Sequence, residues 1–316
     1  MEKGKKWKEN LVAYGLLSPF LLLFTVFLAF PIFYSLWLSL HKATLFTSWY
    51  HPFSDMKYVG LAHYKEILTS SEFWWSLFLT LCYGFLTIPT GIFVSLLLAL
   101  LLHNKLPGKN FLRSAYFLPN VLDLFVLGTI WVMIFSPKYG LLDQLFRYLG
   151  IVPFIEDGLL GNPWTVLPAI AFVMVLKGAG FGMILFLTAI QNISPSLYEA
   201  AEIDGATWWQ KTWHITIPLV KPITIFLVIT GTIACLTAFT EVYAMTSNTG
   251  GPTVQVFGRT LKSANLIGYY LYRNFADAFY GRAAALSFIL LGIALVISAL
   301  NMMVLQERRQ KDVEKP

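Results

Sequence analysis

The chain has 316 residues, of which 57% are hydrophobic and only 13% are charged, and its formal net charge is +6. Soluble domains carry about a quarter charged residues, so this composition excludes a water-soluble domain and predicts a membrane protein. The basic residues stand in short runs between apolar stretches rather than on a face shared with stacking aromatic residues, which argues against nucleic acid as a partner.

Apolar stretches divide the chain into segments long enough to span a bilayer, which takes about 20 residues. They cover residues 14–40, 74–102, 115–135, 164–190, 223–245 and 283–305. The first is longer than the apolar part of a signal peptide and has no small-residue cleavage site, so we expect no cleaved leader. The fold class predicted is an all-α membrane protein with about six transmembrane helices. Residues 1–13 form an N-terminal segment, residues 14–305 the transmembrane domain, and residues 306–316 a tail.

Lys and Arg residues predict the orientation of these spans. Thirteen of them fall in the two terminal segments and in the loops after the second and fourth spans, against nine in the much longer alternate loops. Loops rich in Lys and Arg stay in the cytoplasm. We therefore expect both termini of this multi-pass chain to be cytoplasmic, which an even number of spans also requires.

The loop between the third and fourth spans, residues 137–163, predicts a short amphipathic helix. Its apolar residues at near-helical spacing are Leu141, Leu142, Leu145, Phe146 and Leu149. Such a helix is typical of one that lies in the membrane interface rather than one that binds a ligand.

No feature of the sequence predicts a catalytic or metal site. Cys82 and Cys235 each lie inside an apolar stretch, as buried structural thiols do. The five His residues lack the spacing of metal ligands. Catalytic and metal-binding residues are therefore not predicted.

Three ionisable residues fall inside predicted spans: Asp123, Lys177 and Glu241. Charges within a membrane are costly and by default mark a functional site, so all three are candidates for the solute path. Alternatives remain open. Asp123 and Glu241 are within a few turns of a boundary, where they can reach water or pair with a partner subunit, and Lys177 can be structural.

The loop between the fourth and fifth spans, residues 191–221, reads as two short helices joined at Asp204 and Gly205. Pro195 and Ser196 suit a helix start, and the run after them is strongly helix-forming. Gly205 can adopt backbone angles closed to other residues, and we expect Asp204 to cap the second helix. On pattern alone, an ordinary amphipathic connector is an equal alternative.

This loop resembles the EAA loop of ABC importer permeases, and the resemblance extends over nearly the whole chain. The matching segments are Glu199-Ala200-Ala201-Glu202-Ile203-Asp204-Gly205-Ala206, Ile215-Thr216-Ile217-Pro218, Leu17-Ser18-Pro19, Val59 to Tyr64, Arg113 to Pro119, and Gly250-Gly251-Pro252. Together they are similar to the carbohydrate-uptake group, which includes the maltose and glycerol-3-phosphate systems. The resemblance implies a type I importer permease fold in a prokaryotic inner membrane.

The resemblance also implies a division of labour between subunits. The loop would dock on a cytoplasmic ATPase dimer, with Glu199 as the charged contact, Ala200 and Ala206 beside it, and Asp204 and Gly205 at the turn. Implied partners are a second homologous permease, usually making a heterodimer, an extracytoplasmic solute-binding protein, membrane lipid and a sugar. This chain has no Gly-x-x-x-x-Gly-Lys-Ser/Thr loop, so no cofactor is expected on it; ATP and Mg²⁺ would bind the partner ATPase.

Solute contacts in this family cluster in spans three to five. By position they would be Asn120, Lys177, Gly178, Thr230 and Thr237. For the two threonines, a hydrogen bond to their own helix is the alternative. Other functions left open are a stand-alone secondary transporter or channel, an ABC permease for a non-sugar solute such as glycerol phosphate, and, more remotely, an intramembrane enzyme. The identity of the solute and the choice between heterodimer and homodimer also stay open.

Overall fold

The computed structural model describes residues 14–43, 56–103, 107–149, 158–256 and 258–313, apart from the side chains of residues 146, 147 and 300–313. The predicted N-terminal segment, residues 1–13, lies outside the described residues, as do residues 314–316 of the predicted tail.

Helices make up most of the described chain. They run over Tyr14–Ser39 (α1), Ala62–Thr69 (α2), Ser71–His103 (α3), Lys109–Val121 (α4), Leu124–Phe135 (α5), Leu141–Tyr148 (α6), Gly158–Gly161 (α7), Val166–Gln191 (α8), Pro195–Ile203 (α9), Trp208–Leu219 (α10), Lys221–Leu236 (α11), Thr240–Met245 (α12), Ile267–Ala276 (α13) and Tyr280–Val313 (α14). Two antiparallel strand pairs accompany them: His41–Lys42 (β1) with Lys57–Tyr58 (β2), and Thr253–Val256 (β3) with Arg259–Lys262 (β4).

The count of apolar spans agrees with the prediction of about six. Four helices, α1, α3, α8 and the first part of α14, are each long and apolar enough to cross a bilayer. Two bent pairs, α4 with α5 and α10 with α11, raise the number to six if each pair is one span. The observed helices α3 and α14 begin at Ser71 and Tyr280, three residues before the apolar stretches that predicted them, because polar first turns do not register in hydropathy.

The third predicted span is not one continuous helix. The apolar stretch at residues 115–135 is split into α4 and α5, which meet at an angle of 101°. Leu122 and Asp123 are extended at the break, and the Asp123 side chain caps the new helix by accepting from the N–H groups of Phe125 and Val126. An aspartate placed to cap a helix start can interrupt a span that hydropathy alone reads as continuous.

The fifth predicted span is also interrupted. Helix α11 ends at Leu236, and three residues separate it from the short helix α12. The break is covered by α13, which approaches so closely that a Cβ on Gly268 would lie 2.7 Å from the carbonyl oxygen of Ala238. The prediction of a single helix from residue 223 to residue 245 is therefore wrong at its end.

Close packing of α3 against α8 forms the centre of one compact unit, residues 71–270 and 293–316. The two backbones are near enough for Ser95 Oγ to donate to the carbonyl oxygen of Ala179 at 3.2 Å, and a Cβ on Gly182 would meet Ser95 Oγ. Small residues at the contact are the usual way in which membrane helices pack without a hydrophobic drive between them. Towards the end of both helices, Leu102 and Phe186 are buried in a shared apolar cluster.

The other compact unit comprises residues 1–70 and 271–292. Trp37 and His41 stack with ring centroids 3.8 Å apart, and Ser39 is hydrogen-bonded to Tyr64 at 2.8 Å. Arg282 and Glu66 form an ion pair at 3.1 Å. Polar and aromatic contacts therefore tie α2 to the segments at the ends of α1 and α14 within this unit.

The amphipathic helix predicted between the third and fourth spans is present as α6. Leu141, Leu145 and Tyr148 are exposed along one side of it, as a helix in the membrane interface requires. The side chain of Phe146, predicted to share this face, lies outside the described residues.

Candidate functional site

The predicted helix pair between the fourth and fifth spans is present, and its turn depends on Gly205. Helix α9 begins at Pro195, as predicted, and ends at Asp204 as its C-cap. Gly205 then takes a φ of +75°, donating to the carbonyl of Glu202 at 3.0 Å, while the N–H of Ala206 donates to Ala201 at 2.8 Å. These two bonds form a Schellman motif, which needs a left-handed residue and favours glycine.

The cap of the second helix differs from the prediction. Thr207, not Asp204, is the N-cap of α10, and it forms a capping box with Gln210. Thr207 Oγ1 accepts from the Gln210 N–H, and Gln210 Oε1 accepts from the Thr207 N–H at 2.7 Å. The prediction for Asp204 was wrong because the Schellman motif makes Asp204 the C-cap of α9, and four residues, 204–207, lie between the two helices.

Two side-chain contacts hold α9 and α10 together as one body. Lys211 and Glu202 form an ion pair at 2.6 Å, and the hydroxyl groups of Tyr198 and Thr216 are 2.9 Å apart. Each links one helix of the pair to the other. The turn itself is fixed by backbone hydrogen bonds, and α11 follows α10 after a bend of 61°.

The helix pair, hereafter the coupling loop (residues 195–219), exposes large apolar side chains. Ile203 is 88% exposed at the tip of α9, and Trp208, Trp209 and Trp213 are each more than half exposed on α10. Glu199 is also exposed, on α9. Contiguous exposed apolar side chains are a common feature of interaction surfaces, so these residues are candidates for one.

A cavity of about 310 Å³ lies between α3, α8 and α11. Its polar and thiol-bearing lining residues are Tyr83, Thr87, Ser95, Thr230, Cys235 and Glu241. The Tyr83 hydroxyl donates to Glu241 Oε1 at 3.2 Å, and Glu241 is only 6% exposed. The remaining wall is apolar or glycine, including Gly178. Apolar walls with a few convergent polar groups are typical of small-molecule sites.

Lys177 of α8 donates hydrogen bonds to the backbone at the break between α4 and α5. Its ammonium group donates to the carbonyl oxygens of Asn120 and Leu122 at 3.0 Å each and to that of Pro119 at 3.4 Å. These are carbonyls that the end of a helix leaves without partners. Asp123, the next residue, caps α5, so the break has a cation at its carbonyl end and an anion at its amide end, as helix dipoles favour.

The structure brings six of the seven predicted solute-path residues together in two groups of three and leaves the seventh apart. Gly178, Thr230 and Glu241 line the cavity. Asn120, Asp123 and Lys177 meet at the α4–α5 break. Thr237 stands at the end of α11 and donates to its own helix, at Ile233 O, as Thr230 does at Phe226 O.

Sequence reasoning missed the contribution of α3 to the cavity. Tyr83, Thr87 and Ser95, at intervals of four and eight residues in a largely apolar helix, all line the cavity. That spacing was the available signal. The pairing of Tyr83 with Glu241, 158 residues away, has no local trace in the sequence.

Comparison with known proteins identifies the architecture. A family model described as the binding-protein-dependent transport system inner membrane component matches residues 88–312. The chain belongs to this family. It is accordingly a membrane-embedded permease subunit of an ABC importer that works with a solute-binding protein, and its role is transport rather than catalysis.

Several relatives of this permease match over nearly their whole length. The trehalose/maltose transport system permease protein MalF of Thermococcus litoralis is 32% identical over 293 residues, covering 93% of this chain and 92% of the relative. The lactose transport system permease protein LacF of Rhizobium radiobacter is 31% identical, covering 92% and 93%. The arabinooligosaccharides transport system permease protein AraP of Bacillus subtilis is 29% identical, covering 94% and 89%.

A solved structure shares the fold of the permease. A bacterial ABC transporter involved in the import of the acidic polysaccharide alginate has a chain with a TM-score of 0.78 and 23% identity, covering 97% of this chain and 99% of that one. The likeness confirms the predicted type I importer permease fold, and at this identity it carries no information on the solute.

Proposed function

We propose that the chain forms half of the translocation pore of a sugar importer. The observation that supports this most is the set of similar permeases, which are named for trehalose and maltose, lactose, and arabinooligosaccharides. Family membership removes the basis for a stand-alone secondary carrier, because members of this family depend on a binding protein.

The coupling loop is the proposed docking site of a cytoplasmic ATPase dimer. Ile203 and the three tryptophans supply the apolar area that aromatic-rich interfaces use as anchors. Exposed Glu199 supplies a charged contact, and Ala200, half-buried Ala206 and the turn at Asp204 and Gly205 shape the surface. A rigid pair of helices can pass closure of the ATPase to α11 as rigid-body motion.

The solute is proposed to pass along the cavity between α3, α8 and α11. Thr230 and Glu241 offer hydrogen-bonding groups there, and Gly178 leaves room beside them because nothing lies within 4 Å of its Cβ position. Thr237 lies one residue beyond α11 on the same path. Asn120, Asp123 and Lys177, which meet at the α4–α5 break, are proposed to shape the path by holding that break in place.

The remaining assignments follow from the charge distribution and the family. Both termini are proposed to be cytoplasmic in a prokaryotic inner membrane, since the terminal segments and the loops after the second and fourth spans are the ones richest in Lys and Arg. A second homologous permease would complete the pore, as a heterodimer. ATP and Mg²⁺ would bind the ATPase, with no cofactor on this chain.

The ATPase activity of the complex reconstituted in lipid with its binding protein tests this proposal. Neutral and acidic mono- and oligosaccharides, glycerol phosphate and amino acids are each added to saturation. We expect hydrolysis to rise several-fold with one class of sugar and not with the others. A complex with intact basal hydrolysis that responds only to a non-sugar solute would contradict the sugar assignment.

A further inference from the structure

The cavity between α3, α8 and α11 carries a single acidic side chain. Among the described residues that line it, Glu241 is the one acid, and Lys and Arg are absent. Its carboxyl group is 6% exposed and accepts from the Tyr83 hydroxyl at 3.2 Å. A solute in the cavity therefore meets an acid and hydroxyl groups, but no cation.

Lys177 is the cation nearest in sequence to the cavity lining, and its ammonium group is hydrogen-bonded outside the cavity. Lys177 precedes Gly178, which lines the cavity, yet its ammonium group donates to three carbonyls of the α4–α5 break at 3.0, 3.0 and 3.4 Å. An ammonium group has three donors. All three are thus engaged, and Lys177 has none to offer an anionic solute.

We propose that Glu241 makes this cavity select against anions, so that the sugar carried is an uncharged one rather than a uronic-acid oligomer or a sugar phosphate. The inference rests on the proposed function for the identity of the solute as a sugar. Its physical reason is independent of that: an anion that leaves water finds no counter-charge among the described lining residues, and the carboxyl group of Glu241 adds repulsion in its ionised form.

Charged thiol reagents measure the potential of the cavity directly. Thr230, exposed in the cavity wall, is replaced by cysteine in a Cys82→Ser, Cys235→Ser background of the full complex. Methanethiosulfonates carrying a trimethylammonium or a sulfonate group are then compared by their rates of modification. The reference is a cysteine in place of Tyr148, which is 89% exposed on α6.

The cationic reagent is expected to react faster than the anionic one at position 230, relative to the reference position. Glu241→Gln should lower that ratio by roughly tenfold, because the charge is lost while the amide oxygen still accepts from Tyr83. Glu241→Asp and Tyr83→Phe, which keep the charge, should leave it within about twofold.

Two outcomes would overturn the proposal. One is an anionic reagent that reacts at least as fast as the cationic one in the Thr230→Cys complex, a result that needs no substitution of Glu241. The other is an unchanged ratio in a folded Glu241→Gln complex. Neither depends on whether sugars stimulate the ATPase, so the failure of this inference is distinguishable from the failure of the proposed function.

Discussion

Replacing Gly205 by proline is expected to abolish solute uptake while the protein remains in the membrane. Gly205 holds a φ of +75° and donates its N–H to the carbonyl of Glu202. Proline fixes φ near −65° and has no N–H, a conflict that costs about 3 kcal/mol or more. Each 1.4 kcal/mol lowers the population of the native turn about tenfold, so uptake should fall by about 100-fold or more.

The matched control is Gly205→Asn, because asparagine visits the left-handed region with a short polar side chain. No atom lies within 4 Å of the Cβ position, so the side chain itself meets no obstacle. We expect this variant to keep most of its uptake. Transport by Gly205→Pro at the wild-type rate, with equal amounts of protein in the membrane, would refute a coupling role for the turn.

Replacing Lys177 by methionine is expected to destabilise the permease and to reduce uptake of every solute in proportion. Methionine keeps an apolar stem of similar length but leaves the carbonyls of Pro119, Asn120 and Leu122 without the ammonium donor. Two of these acceptors are partly buried, and the ~1–3 kcal/mol that a fully buried acceptor without a partner costs sets the upper end of the loss. The readouts are the thermal midpoint of the purified complex and the maximal transport rate.

Two companion variants separate positioning from simple loss of charge. Lys177→Arg retains donors but in a planar fork, so partial recovery of the midpoint is expected. Lys65→Met removes an exposed lysine on α2 and should change neither readout. If Lys177→Met instead keeps its midpoint and alters only the preference between acidic and neutral sugars, Lys177 contacts the solute and does not position the break.

Features determined locally could be predicted from the sequence. The bilayer sets the length of an apolar segment, so the number and approximate position of the spans followed from hydropathy. The turn of the coupling loop followed from Gly205 because a Schellman motif is built from neighbouring residues. The N-cap of α10 could not be predicted in this way. Both Asp204 and Thr207 are good cap residues, and only the hydrogen-bond geometry decides between them.

Features that depend on distant partners could not be predicted. The third span breaks where Asp123 caps α5, but the free carbonyls at that break are satisfied by Lys177, more than 50 residues away. Hydropathy averages over such a break because most residues on both sides of it are apolar. The wall of the cavity likewise depends on Tyr83 and Glu241 meeting across 158 residues.

Cross-linking from the coupling loop tests the central claim most directly, namely that this permease is driven by an ATPase docked on that loop. A photoreactive maleimide is attached to Ile203→Cys, at a position 88% exposed on α9, in an assembled complex without the native cysteines. We expect a cross-link to the ATPase subunit from this position and none from Leu145→Cys on α6. A functional complex in which the α6 position cross-links to the ATPase and position 203 does not would contradict the account.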